Sequence, residues 1–164
     1  MKRTAQLSAL ATIVALALLL SGCGLVAQKA VENATGVKVD QGGGKTTVTG
    51  PNGQSATIDQ QSGKVPDGLP ATVPVYQGTI SGSTSVNTPD GQSYTFTTQT
   101  TDDVATVLAW YKTQLAEKGW TVDAAAVMGT DRGLVSAKNG TTQLAVTVES
   151  GNGSSKIMTV VTVK

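Results

Sequence analysis

One stretch of this chain carries a helical repeat, and its single apolar face constrains the fold more than any other feature. Within residues 101–118, five apolar side chains fall at offsets of 0, 3, 4, 7 and 11. They are Val104, Val107, Leu108, Tyr111 and Leu115. This period predicts one amphipathic helix that must bury one face against another layer. Thr100 or Thr101 is the expected N-cap, and Gly119 is the expected stop.

Strand-like alternation surrounds this helix on both sides. Only 14% of the residues are charged and 4% are aromatic, a composition that favours short strands over long surface helices. Two strand segments precede the helix around the turn Pro89-Asp90-Gly91, and three or four follow it. Residues 78–164 are therefore expected to form an α+β head domain. Its antiparallel sheet has the order ββα followed by three to four strands, and the one helix covers it.

A shorter segment with few apolar residues precedes the head domain. Residues 37–60 contain three short alternating pieces separated by glycine-rich turns, which predicts a small β-meander. Its apolar face is small, so we expect it to lean on another surface or to move freely. Residues 61–77 are predicted to be a Pro/Gly linker that ends in an extended lead-in segment, Leu69 to Tyr76. Val73, Val75 and Tyr76 are expected to cover an edge or face of the head domain.

The N-terminus has the layout of an export signal. Lys2 and Arg3 precede an apolar stretch from Ala5 to Leu20, and a charged start followed by an apolar run is typical of secretory signals. The stretch has about 16 residues, fewer than the roughly 20 that a spanning helix needs. Residues 1–22 are therefore interpreted as a signal peptide that is removed.

The only cysteine of the chain ends this segment. The run Leu20-Ser21-Gly22-Cys23 closely resembles the lipobox of bacterial lipoproteins. The resemblance implies that Cys23 receives a diacylglyceryl group, that the signal is cut just before it, and that residues 23–36 form a lipidated tether. Two acyl chains anchor stably, because each buried methylene contributes about 0.8 kcal/mol. The alternatives for Cys23 are a buried free cysteine and an uncleaved signal anchor.

The residue after the cysteine bears on location. Position 24 is glycine rather than aspartate, so the inner-membrane retention signal of Gram-negative lipoproteins is absent. The resemblance therefore implies an exported protein, held at the outer face of a Gram-positive plasma membrane or at a Gram-negative outer membrane.

Most of the chain after the cysteine also resembles a loose group of uncharacterised envelope lipoproteins. The shared pieces are the lead-in segment, the pattern Trp110-Tyr111-x-x-x-Leu115-x-x-x-Gly119-Trp120, and the closing Thr/Val-rich strands. These short motifs are mostly structural. The resemblance implies a small α+β head domain, and it supplies no activity.

The residue inventory excludes several kinds of chemistry. The chain has no histidine, and acylation would consume its only thiol. Zinc sites, cysteine nucleophiles and Ser-His-Asp triads are therefore not expected, and neither is any metal or cofactor. Without Lys2 and Arg3, 10 basic and 11 acidic residues remain, a balance that provides no basic surface for nucleic acid.

Few residues remain as candidates for a site. Two pairs could form a minimal catalytic site: an acid/base pair of Asp102 and Asp103, and a Ser-Lys pair of Ser136 and Lys138. The plainer interpretation is that the aspartates stabilise the first turn of the helix, and that Ser136 and Lys138 lie on a solvated strand. Trp110, at the edge of the helix stripe, and the neighbouring Tyr111 are the candidate contacts for a partner. The alternative is that Trp110 packs against the lead-in segment or the meander.

Two functions follow from the sequence. The first is a lipid-anchored cell-envelope protein without enzymatic activity, a surface binding or structural module. It meets the membrane through Cys23 and contacts an envelope protein or glycan. The alternative is an envelope hydrolase that uses carboxylates or a Ser-Lys pair.

Overall fold

The computed structural model describes residues 35–164 except 52 and 54. The predicted signal peptide, the lipobox with Cys23 and nearly all of the predicted tether lie outside the described residues. Within that part of the chain, no helix is long and apolar enough to cross a bilayer.

The described chain forms nine strands and one helix. The strands are β1 (Lys38–Gly42), β2 (Lys45–Thr49), β3 (Ser55–Gln61), β4 (Thr79–Thr88), β5 (Gly91–Thr100), β6 (Thr121–Met128), β7 (Arg132–Asn139), β8 (Thr142–Gly151) and β9 (Ser154–Val163), and the helix is α1 (Val104–Glu117). All nine strands belong to one sheet with the order β1-β2-β3-β4-β5-β9-β8-β7-β6, and every neighbouring pair is antiparallel. The predicted α+β class, an antiparallel sheet with one helix, is confirmed.

The helix covers one face of the sheet, which we call the inner face. Its five predicted stripe residues are all buried, and they share one hydrophobic cluster with alternate side chains of the sheet such as Val135, Val146 and Ile157. Tyr111 reaches through this layer, and its hydroxyl lies 3.3 Å from Thr159 Oγ1 on β9. Alternation along each strand sends the intervening side chains to the opposite face, which we call the outer face.

The N-cap of the helix differs from the sequence prediction. Asp103, rather than Thr100 or Thr101, is the capping residue, because its Oδ1 accepts a 2.7 Å hydrogen bond from the Thr106 amide. Hydrogen bonds from Thr106, together with one from the Ala105 amide, hold the pKa of the Asp103 carboxyl below its usual range. At the other end, Gly119 has a φ of +77°, a left-handed conformation that glycine adopts without strain.

The meander is part of the same sheet. Its last strand, β3, pairs with β4 over five residues, from Thr57 to Gln61. Ile58 lies opposite Val86 on the outer face, and Asp59 lies opposite Ser85 on the inner face. The apolar alternation of the meander therefore points outward, whereas that of β5 and β7–β9 points inward.

The lead-in segment lies against the core on the inner face. Val73 and Tyr76 are buried in the main hydrophobic cluster. Trp120, just after the helix, donates a 2.8 Å hydrogen bond from Nε1 to the carbonyl of Thr72. Pro66, within the predicted linker, is also buried. The connection from β3 to β4 thus completes the layer that α1 begins.

Glycine at position 133 is required by the close approach of helix and sheet. A Cβ at Gly133 would lie 2.6 Å from Leu108 Cδ1 and 2.7 Å from Val104 Cγ1. We expect Gly133→Val to lower the free energy of unfolding by about 1–3 kcal/mol, because the added groups overpack this contact. Urea denaturation followed by circular dichroism measures the change. Gly42→Val is the control, since its Cβ would meet no atom within 4 Å. Equal effects of the two variants would contradict this packing.

Candidate functional site

The two aromatic residues proposed as partner contacts lie in different environments. Tyr111 has 0% exposure and is a core residue, so it presents no surface to a partner. Trp110 is partly buried, and Tyr76 of the lead-in segment packs edge-on against it with a ring separation of 4.9 Å. Trp110 thus packs on its own chain, and its role as a partner contact stays a prediction.

The first carboxylate candidate is part of the same cluster. Asp102 Oδ2 accepts a 2.6 Å hydrogen bond from the Tyr76 hydroxyl and a 3.2 Å hydrogen bond from Thr100 Oγ1. Burial, reinforced by the Asp102 hydrogen bond and charge, raises the pKa of Tyr76 to about 12. Asp103 caps the helix. Both carboxylates therefore have a structural use at the start of α1.

The Ser-Lys pair lies on the outer face of β7. A depression of about 320 Å³ is lined there by Ser136, Asp123, Ala145 and their neighbours. Lys138 Nζ lies 2.8 Å from Asp123 Oδ1, in an ion pair. An ammonium group held by a carboxylate has no lone pair to accept a proton from a serine hydroxyl. Within the described residues, no three Asp, Glu, Cys or His side chains converge as metal ligands would.

A larger groove lies across β3, β4 and β5, with a volume of about 600 Å³. Such a volume is within the range of about 300–1,000 Å³ that is usual for ligand sites. Its lining is dominated by hydroxyl and amide side chains. These are Gln60, Ser62, Ser81, Thr84, Thr95 and Thr97. Gln61, Ser83 and Phe96 also border the groove, although the strand register places their side chains toward the inner face.

The backbone shapes this groove. The pairing of β4 with β5 shifts register between Ile80 and Gly82, the signature of a β-bulge. Gly82 lies in the groove wall, and a Cβ added there would meet no atom within 4 Å. Gly44, at the turn between β1 and β2, contributes a second wall position without a side chain. The bulge and the two glycines leave space where regular strands would carry side chains.

The charge of the groove comes from one residue. Among the described residues that line it, Lys156 is the only charged side chain, and none is a carboxylate. Lys156 also has no ion-pair partner among the described residues. Glu149, its cross-strand neighbour, forms an ion pair with Arg132 at 3.9 Å instead. The groove therefore offers many hydrogen-bonding groups and one cation, a combination suited to a hydroxyl-rich neutral or anionic ligand.

Sequence reasoning missed this groove. The available signal was the alternation of Thr84, Thr95 and Thr97 with inward-facing residues, which indicates a polar outer face. The pairing of β3 with β4 brings Gln60 to the groove, and the pairing of β5 with β9 brings Lys156. These pairings and the bulge depend on long-range register.

Comparison with known proteins gives one similarity. A protein-family model described as START domain-like matches residues 80–156, from β4 through α1 and into β9. The match covers just under half of the chain. No curated protein and no solved structure matches the chain.

The Tyr76-Asp102 contact predicts a pH dependence of stability. The folded-state pKa of Tyr76 is raised to about 12 from 10.0. The neutral Tyr76 hydroxyl therefore contributes to the free energy of unfolding fully below pH 10, and this stabilisation is lost as pH rises toward 12. We expect the free energy of unfolding of the Tyr76→Phe variant to fall less than that of wild type over this pH range. Denaturant titrations between pH 9 and pH 12 measure it.

The matched variant for that experiment is Asp102→Asn. Burial is the largest cause of the Tyr76 shift and Asp102 the second, so Asp102→Asn should reduce the alkaline decline without abolishing it. A difference between wild type and Tyr76→Phe that stays constant with pH would contradict this assignment.

Proposed function

We propose that this chain is an exported, lipid-anchored protein of the bacterial cell envelope, and that its head domain is a binding module. The lipobox resemblance of Leu20-Ser21-Gly22-Cys23 supports the anchor. In this proposal residues 1–22 are removed, and Cys23 carries the lipid at a Gram-positive plasma membrane or a Gram-negative outer membrane. The similarity to the START domain-like family covers the head domain and does not bear on the anchor.

The proposed division of the exported chain follows the same logic. Residues 23–36 are the tether, and residues 37–60 are a meander that extends the sheet. Residues 61–77 lead into the head domain, residues 78–164, with the order ββα and then the closing strands. The tether places this head domain close to the membrane surface and to the envelope polymers around it.

The observation that carries the binding role is the groove on the outer face. Its hydroxyl and amide groups can exchange hydrogen bonds with a ligand rich in hydroxyls, and Lys156 adds a charge-assisted bond to a carboxylate. An envelope glycan that bears carboxylates has this chemistry. We therefore propose an acidic glycan as the ligand class.

The alternative is an envelope hydrolase. Ser136 and Asp123 line one depression, which is the observation in its favour. The ion pair of Lys138 with Asp123 removes the candidate base, and Asp102 and Asp103 serve the helix start. The side-chain contacts therefore favour binding over hydrolysis.

The anchor is tested by fatty-acid labelling. Cells fed an alkyne analogue of palmitate should label the wild-type chain, and Cys23→Ser should abolish the label because serine has no thiol to acylate. Ser21→Ala is the control, since it keeps a small residue in the lipobox and should label normally. An unlabelled wild-type chain, or a mature N-terminus with a free thiol by mass spectrometry, would contradict the anchor.

The groove is tested separately by co-sedimentation of the detergent-solubilised full chain with purified peptidoglycan, a glycan that carries carboxylates. Lys156→Gln should weaken binding about tenfold, because one charge-assisted hydrogen bond is lost. Thr95→Trp should also weaken it by filling the groove. Lys112→Gln on the exposed surface of α1 and Thr147→Trp outside the groove are the controls. Equal binding by all variants, or none by wild type, would contradict the glycan proposal.

A further inference from the structure

The last strand of the sheet has an open edge. Among the residues that the structure describes, β6 is the end strand and pairs only with β7. It has eight residues, Thr121–Met128, and contains no proline, lysine or arginine. Such side chains commonly protect an edge from pairing with another strand. The opposite edge, β1, is shorter and carries Lys38 and Asp40.

Exposed apolar side chains concentrate at this edge. Of the described residues, the exposed large apolar side chains are Val127 at 52%, Met128 at 50% and Met158 at 43%. Two of the three lie on β6 itself. Met158 belongs to a row of directly opposed residues on the outer face that ends on β6. The row consists of Met158, Thr147, Leu134 and Ala126. This row is apolar except for Thr147, and it leads to the edge strand β6.

A bulge limits the part of β6 that can pair. The register with β7 shifts between Val122 and Ala124, and Asp123 at that point is held by Lys138 at 2.8 Å. The regular run that remains is Ala124–Met128, which is uncharged.

We propose that β6 pairs with β6 of a second copy of this chain, antiparallel, about a two-fold axis through Ala126. Ala124 of each copy then lies opposite Met128 of the other, and Ala125 lies opposite Val127. Both Asp123 residues fall outside the paired run, so no like charges face each other. The segment is therefore complementary to itself, as an isologous contact requires.

The other edge does not provide an equivalent partner. Pairing of β6 with β1 of another copy would set Lys38 and Asp40 against the apolar run, and the two strands differ in length. Head-to-tail addition of that kind would also continue into an open filament. The two-fold arrangement closes after two copies, and it places the outer faces of both head domains on the same side of a continuous sheet.

Cysteine crosslinking tests the axis directly. Residues directly opposite each other in antiparallel strands have Cα atoms about 4.5–5.5 Å apart, within the range that a disulfide spans. In membranes that contain the full chain with Ala126→Cys, mild oxidation should give a reducible dimer. Ala145→Cys is the control, because this residue is exposed on the outer face of β8, an interior strand. We expect at least a tenfold difference in dimer yield between the two variants.

The register is tested by mixing two tagged chains. Ala124→Cys and Met128→Cys should form a mixed dimer in preference to either self-dimer. The parent chain, oxidised in parallel, separates this proposal from the lipid anchor, because an unacylated Cys23 would crosslink without any added cysteine. No dimer at position 126, equal dimer at 126 and 145, or capture of a different protein at position 126 would each overturn the proposal.

Discussion

The pairing of β5 with β9 is the contact on which the rest of the structure depends. Thr100 lies opposite Ser155 and Gln92 opposite Val163, so this pair joins segments that are more than 50 residues apart in the sequence. It connects the sheet built before the helix to the sheet built after it. Because such a non-local pairing requires a large loop closure, the apolar layer of α1 and the lead-in segment must stabilise it. The hydrogen bond between the hydroxyls of Tyr111 and Thr159 on β9 links that layer to the β5-β9 pair.

The sheet has two faces with different chemistry. On the inner face, the helix and the lead-in segment share one hydrophobic cluster with Tyr94, Val146 and Ile157, which are almost fully buried. Outward positions of the central strands carry residues such as Thr95 and Thr97, which remain partly exposed. Small polar side chains on β5 let this part of the outer face contact water, whereas Met158 on the neighbouring β9 is an exposed apolar side chain. The proposed glycan groove uses that face, and the proposed self-association uses its β6 edge.

Local patterns predicted the local structure. The helix stripe ending at Leu115 and the turn at Pro89-Asp90-Gly91 were readable because helical period and turn chemistry are short-range properties. The N-cap prediction, Thr100 or Thr101, is wrong by a few residues. Threonine and aspartate are both N-cap residue types, and the helix start selects Asp103. The groove depends on the bulge near Gly82 and on cross-strand register. A single sequence does not encode these features in any short motif.

The sheet is covered on one side only, and hydroxyl-radical footprinting of the full chain measures side-chain exposure residue by residue. Met158 on the outer face should oxidise rapidly, while Tyr111 and Trp120 on the inner side, with 0% and 5% exposure, should be strongly protected. Protection of Met158 to the same degree as Tyr111, or rapid oxidation of Trp120, would contradict the one-sided sheet.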